Sequence, residues 1–312
     1  MSLSSRISSP RIPGVPSLPR FGSKDDVERA AQIDGFFPAD SMIRRLHSER
    51  LIAISGVRAL LLQSCDPLAV IGFDRHSQIF SDPQKRLQST DQHMSRMYFG
   101  DVELARETGA SIQAMHRRAK GTVPEDYGPI PAGTAYAADD PQLMLWTLAT
   151  LADSALVYYE RLIGSLTATE RQAYWSDYRQ IGILLGMPSD SIPDTEPEMR
   201  DYVNGRLNDG SLYISGSVRD RARAIIFDPP FTGWMKLALT PLTEVIKLST
   251  IGFLPAEIRE MYGFSWDPVR EAALSSSSLQ IKVAYPLWLD SVRKHPATRT
   301  PVGQVFGAGS RP

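Results

Sequence analysis

Few residues in this chain could do metal or redox chemistry, and one stands out by its setting. Between Gly100 and Lys120 the apolar or small residues Val102, Ala105, Gly109, Ile112, Met115 and Ala119 recur at helical spacing. His116 falls four residues after Ile112 and three before Ala119, on or beside the inward stripe. Gly109 and Ala119 would leave room along that face for something large and flat. One reading is an iron ligand to a macrocycle. The other is a packed core histidine, and periodicity alone favours it. One helix earlier, Arg86 and Thr90 stand one turn apart on a shared face. An arginine beside a threonine could bind a carboxylate or another anion, or be an ordinary exposed pair.

The remaining imidazoles look less promising. His47 stands amid Arg44, Arg45, Glu49 and Arg50, which predicts a solvated face. His76 lies among polar residues, His93 points away from Arg86 and Thr90, and His295 is close to the C-terminal tail. Cys65 is the only cysteine, so the chain has no internal disulfide and no cysteine-built zinc or iron–sulfur site. No HExxH pattern, nucleophile elbow, phosphate-binding glycine loop or dinucleotide fingerprint occurs, so hydrolase, kinase and nicotinamide-dehydrogenase readings lack their usual supports. The 34 basic and 35 acidic side chains give a net charge near −1, without the basic excess typical of nucleic-acid binding.

The elements that must position these residues read as helices nearly throughout. Asp-Pro occurs at Asp66-Pro67, Asp82-Pro83, Asp140-Pro141, Asp228-Pro229 and Asp267-Pro268. Aspartate caps free amides and proline tolerates the first helical position, so each pair marks a helix start. Thr167 and Glu170 form a capping-box pattern, and Gly164 and Gly186 mark helix ends. The spacing predicts helices over about 40–64, 67–74, 83–98, 101–119, 141–163, 168–185, 196–207, 217–226, 232–250, 256–262 and 267–285. Ser211–Ser215 reads as a short extended piece, and Gly121–Asp139 as a long irregular loop. Leu143–Tyr159 is interrupted by Thr147, Thr150, Asp153 and Ser154, so it reads as a buried helix rather than a membrane span.

Length alone, 312 residues, suggests about two domains. The unbroken helical pattern instead predicts an all-α chain with one large domain over 25–294. A Pro/Ser-rich leader at 1–24 carries Pro10, Pro13, Pro16 and Pro19 at every third position, which suits either a polyproline II docking peptide or a disordered leader. A loose tail covers 295–312. No secretory signal or transmembrane segment is visible, which points to the cytoplasm.

The order of several segments resembles the family of haem proteins that includes the latex-clearing rubber oxygenases and the MpaB-type oxygenases. The matching stretches are Asp40-Ser41-Met42-Ile43-Arg44-Arg45-Leu46-His47-Ser48-Glu49, then Ala59-Leu60-Leu61-Leu62-Gln63 running to Pro67. Arg86 and Thr90 follow, ahead of Tyr98-Phe99-Gly100, and then His116 leads to Lys120-Gly121. Tyr136-Ala137-Ala138-Asp139-Asp140-Pro141 opens the helix of Trp146. Gly252-Phe253-Leu254-Pro255, Arg259-Glu260-Met261-Tyr262-Gly263 and Trp266-Asp267-Pro268 complete the series, which covers about 35–285.

The resemblance implies an all-helical fold with haem b buried between helices, His116 as axial iron ligand, and Arg86 and Thr90 beside the cofactor as anchors or distal-pocket residues. It implies a haem-dependent oxygenase using O2 on a small apolar substrate, by oxidative cleavage of a carbon–carbon double bond. The chain departs from the family pattern where Asp66 and Leu148 replace histidines and Ser89 replaces a lysine of the rubber oxygenases. Asp66 reads either as the cap of the helix at Pro67 or as a carboxylate that moves protons. Two other classes remain open from sequence: a haem carrier or sensor without turnover, and a helical interaction protein without haem.

Overall fold

The computed structural model describes residues 35–76, 83–227 and 233–295. Helix α1 (Met42–His47) is followed by a 3-10 turn (Arg50–Ile54), α2 (Ser55–Gln63), α3 (Pro67–His76), α4 (Pro83–Phe99) and α5 (Val102–Arg118). A two-stranded hairpin, β1 (Lys120–Thr122) and β2 (Ala135–Ala137), leads to α6 (Pro141–Leu162) and α7 (Ala168–Leu184). Then come α8 (Glu196–Asn208), α9 (Gly216–Phe227), α10 (Gly233–Gly252), α11 (Ala256–Tyr262), α12 (Pro268–Ala284) and α13 (Asp290–Arg293). The described chain is all-α apart from that hairpin, as the pattern predicts.

Helix α6 is the hub. Trp146, Ala149, Ala152, Ala155 and Tyr158 are fully enclosed, and α2, α7, α8 and α12 all pack on it. Its three alanines let neighbouring backbones approach, while each large side chain contributes about 1.5–3 kcal/mol on burial. Leu148, one of the family departures, is buried too and lies against Gly182 of α7. No single described helix is long and apolar enough to cross a membrane.

Helix starts follow the expected chemistry. Asp66 accepts from the Ala69 amide, Asp140 from Gln142 and Asp267 from Arg270. Thr167 and Glu170 close a reciprocal capping box, as do Thr195 and Glu198, a second box the sequence reading missed. The sites at Asp82 and Asp228-Pro229, the leader and the tail from Pro296 lie outside the described residues.

Two expectations are corrected and one segment is placed. The single helix over 40–64 is three pieces, because Glu49 is extended and its backbone bridges Lys294, breaking the helical ladder there. Ser211–Ser215 lies outside the helices and strands; the Tyr213 amide donates to the Cys65 carbonyl at 2.8 Å, the Tyr127 hydroxyl to Ser215 Oγ at 3.1 Å and Arg206 Nε to Ser211 Oγ at 3.0 Å. The irregular stretch at 121–139 is closed at its base by a short antiparallel ladder pairing Lys120 with Ala137, Gly121 with Tyr136 and Thr122 with Ala135, with 123–134 as the loop between. Gly121 lets the Tyr136 ring lie close at that crossing, since a β-carbon there would sit 2.9 Å from its hydroxyl.

Candidate functional site

His116 occupies the last turn of α5, half-buried, with its Nδ1 shielded from solvent. Asp101 caps the start of this helix by accepting from the Leu104 amide, while Arg117 and Arg118 at its end complement the helix dipole. The hairpin fixes that end in place. The Ala138 amide donates to the Ala119 carbonyl at 2.8 Å, tying the exit of α5 to the entry of α6. Tyr136 of β2 hydrogen-bonds His76 of α3 at 3.0 Å and packs with Ile71 and Val123 in a small apolar cluster. The ends of α3 and α5 and the start of α6 therefore converge on the hairpin.

The room expected beside Gly109 is taken. A β-carbon at Gly109 would lie 2.8 Å from Leu184 Cγ and 2.9 Å from its carbonyl oxygen, so this glycine serves the close approach of α5 to α7. Gln113, one turn on, donates to the same carbonyl at 2.9 Å. His116 lies one turn past that contact, where α7 has already ended.

Thr90 is half-buried on α4, which packs on α5. Arg86 stands one turn earlier on the same backbone, and its side chain falls outside the described residues. Asp66 uses both oxygens within the chain: Oδ1 caps α3, and Oδ2 accepts from Arg206 Nη2 at 2.8 Å. Arg206 also lies over the Trp146 ring at 5.1 Å. The cap is thus present, and the second oxygen is held in a buried ion pair.

The structure also assembles a group that the sequence reading set aside. His47 does not face solvent along an open helix surface. Its Nε2 lies 2.9 Å from the Tyr174 hydroxyl and 3.3 Å from that of Tyr178, and its ring stacks on Tyr98 at 4.1 Å. Tyr98 and Tyr178 hydroxyls are 2.7 Å apart. Burial pushes the imidazole down to about 3, with a further contribution from His295, so His47 is neutral at ordinary pH. The Tyr178 phenol is pushed up to about 12, chiefly by burial. Three of the charges around His47 in sequence have partners of their own: Arg45 pairs with Glu170, Arg44 donates to the Phe37 carbonyl, and Glu49 takes Lys294 and Tyr285.

His295, expected near a loose tail, stacks on Phe99 at 5.1 Å, and its amide donates to the Ser48 carbonyl at 2.7 Å. A cavity of about 310 Å³ opens between these groups, lined by His47, Glu49, Asp91, Ser95, Tyr98 and His295 among others. Its walls come from α1, Glu49 and the 3-10 turn that follows it, α4 and residue 295. No local sequence signal joins them; only the spacing of Asp91, Ser95 and Tyr98 on one face of α4 hints at a shared surface.

His93 bonds the carbonyl of Ser89 on its own helix at 2.6 Å. Among the described residues no group of three or more His, Cys, Asp or Glu side chains is arranged to hold a metal ion.

The family model described as ER-bound oxygenase mpaB/B'/Rubber oxygenase, catalytic domain, matches residues 44–281. An uncharacterized protein of Mycobacterium bovis and one of Mycobacterium tuberculosis are each 25% identical over 193 residues, spanning 62% of this chain and 71% of theirs. No solved structure matches the chain.

Proposed function

Because the chain belongs to the MpaB and rubber oxygenase catalytic-domain family, and is an oxygenase in that broad sense, we propose that it works with haem b and O2 on a small apolar substrate. In this reading His116 would hold the iron through one imidazole nitrogen, and Arg86 and Thr90 would be the polar groups that hold the cofactor. The observation that carries it is the match over 44–281, which contains a half-buried histidine on the helix end anchored by the hairpin. The donor chemistry fits. A macrocycle brings four iron ligands of its own and asks the chain for one imidazole, so a site without a multi-residue metal cluster suffices.

Bound haem supplies the oxygen chemistry, here oxidative cleavage of a carbon–carbon double bond. The chain's residues do the rest. His116 offers one ring nitrogen as donor, and its solvent-shielded Nδ1 keeps the other proton from exchanging freely with water. The hairpin holds the end of α5 against α6, so the imidazole keeps its position when substrate enters. The guanidinium of Arg86 and the hydroxyl of Thr90 are suited to a propionate carboxylate or to a polar distal contact.

The test is the absorption spectrum of protein purified from haem-supplemented cells. A Soret band is expected, and His116→Ala should abolish it while leaving the far-ultraviolet dichroism intact. A colourless protein that fails to take up added hemin overturns the reading. Oxygen uptake with a panel of apolar alkenes then separates an oxygenase from a haem carrier, which shows the band and consumes no oxygen.

A further inference from the structure

Among the described residues all the exposed large apolar side chains except Met115 lie between Val269 and Val292. Leu287 is 83% exposed, Val269 78% and Leu289 73%. Helix α12 accounts for the first part of this patch. Leu274 and Ser278 are buried, and Ile281 on the same line packs against the core. At 100° per residue, Val269, Ala272, Ser276, Leu279 and Val283 fall on the opposite side of the helix. That outer line is exposed throughout.

An outward helical face in water normally carries charge. The charged residues of α12 stand on its flanks and are engaged within the chain. Arg270 pairs with Asp267, Glu271 accepts from the Trp266 indole at 2.8 Å, and Lys282 donates to the Glu160 carbonyl at 3.0 Å. About four turns of outer face are thus apolar or small, which makes α12 a helix with two apolar sides.

The spacing of the outer line selects the occupant. The steps 269, 272, 276, 279, 283 alternate three and four, the seam of a helix packed on another helix. Ser276 is the middle member of the line. Val269 and Val283 each lie seven residues from it, and Ala272 and Leu279 lie four and three. In an antiparallel pairing across a two-fold axis at Ser276, Val269 of one copy meets Val283 of the other, and Leu279 passes beside Ala272 with an offset of one residue. The serine at the centre lets the two backbones close. A self-complementary patch of this kind is what a two-fold interface requires.

The area agrees. With roughly 150–200 Å² for a fully open large apolar side chain, the exposed fractions leave on the order of 800 Å². That matches the ~800 Å² that one partner contributes to a standard interface.

We propose that α12, continued by the segment to Val292, is the interface of a two-fold homodimer of this chain. Sedimentation equilibrium of the full chain tests it. The wild type should show twice the chain mass in the micromolar range. Leu279→Asp combined with Val283→Asp should return it to the chain mass with an unchanged dichroism spectrum, since both side chains are exposed in the single chain. Ser276→Cys places a thiol on the axis, and mild oxidation with diamide should convert most of it to a disulfide-linked dimer. Ser217→Cys, exposed on α9, should stay uncrosslinked. A wild type that remains at the chain mass throughout overturns the proposal, including one that instead floats with phosphatidylcholine vesicles. A dimer that survives both aspartates and does not cross-link at residue 276 overturns it as well.

Discussion

Two buried polar networks hold this protein together in opposite ways. Around Arg58 the network is charged and enclosed. Its Nε donates to the Phe253 carbonyl, and its Nη1 donates to Asp153 Oδ2 and Ser154 Oγ, each at 2.7 Å. Around His47 it is neutral, built from one imidazole and the phenols of Tyr98, Tyr174 and Tyr178, and it borders a cavity. A charge taken from water must have its partners fixed in place, so Arg58 joins stretches of chain nearly two hundred residues apart. A neutral network tolerates open space beside it, because losing one partner leaves an unpaired dipole rather than an unpaired charge.

That contrast orders the expected effects of substitution. Arg58→Ala should be the most damaging, costing about 3–5 kcal/mol in urea unfolding, because it strands Asp153 and the Phe253 carbonyl. A loss below about 1 kcal/mol would remove the distinction between the networks.

The neutral network should show itself next, as a pH effect. His47 titrates near 3 when folded and near its ordinary value when unfolded. Between those two values the unfolded chain binds a proton that the folded chain does not, so stability falls as pH falls from about 6.5 towards 3. His47→Gln should flatten that decline by roughly 2 kcal/mol, allowing for solvent reaching the imidazole through the cavity. An identical acid slope in the variant would mean that His47 is charged in the folded protein.

The smallest effect belongs to Tyr178→Phe. It removes the hydroxyl joining Tyr98 to His47 and should cost about 1 kcal/mol by thermal unfolding. A cost equal to that of Arg58→Ala would show that the two networks are not energetically distinct.

The helices were legible because their signals are local. The Asp-Pro starts, the Thr167–Glu170 box and the apolar spacing each act within one or two turns, and the observed ends fall within a few residues of those read from the chain. The hairpin at 120–137 was not legible, since three-residue strands carry too little alternation and its stability comes from Tyr136 reaching His76 and Ile71. His47 was misread for the same reason. Its sequence neighbours are charged, but its spatial neighbours are three phenols supplied by α4 and α7. At Gly109 the sequence indicated space, and Leu184 occupies it.

The family resemblance and the all-α class came from the sequence by itself, because residue order and helical period are properties of the chain. Tertiary structure decided which side of each helix is enclosed. It made the Asp66 carboxylate a cap and an ion-pair partner, brought His295 against Phe99, and left the outer face of α12 uncovered. Those outcomes depend on groups far apart in the chain meeting in space, and no local pattern specifies such a meeting.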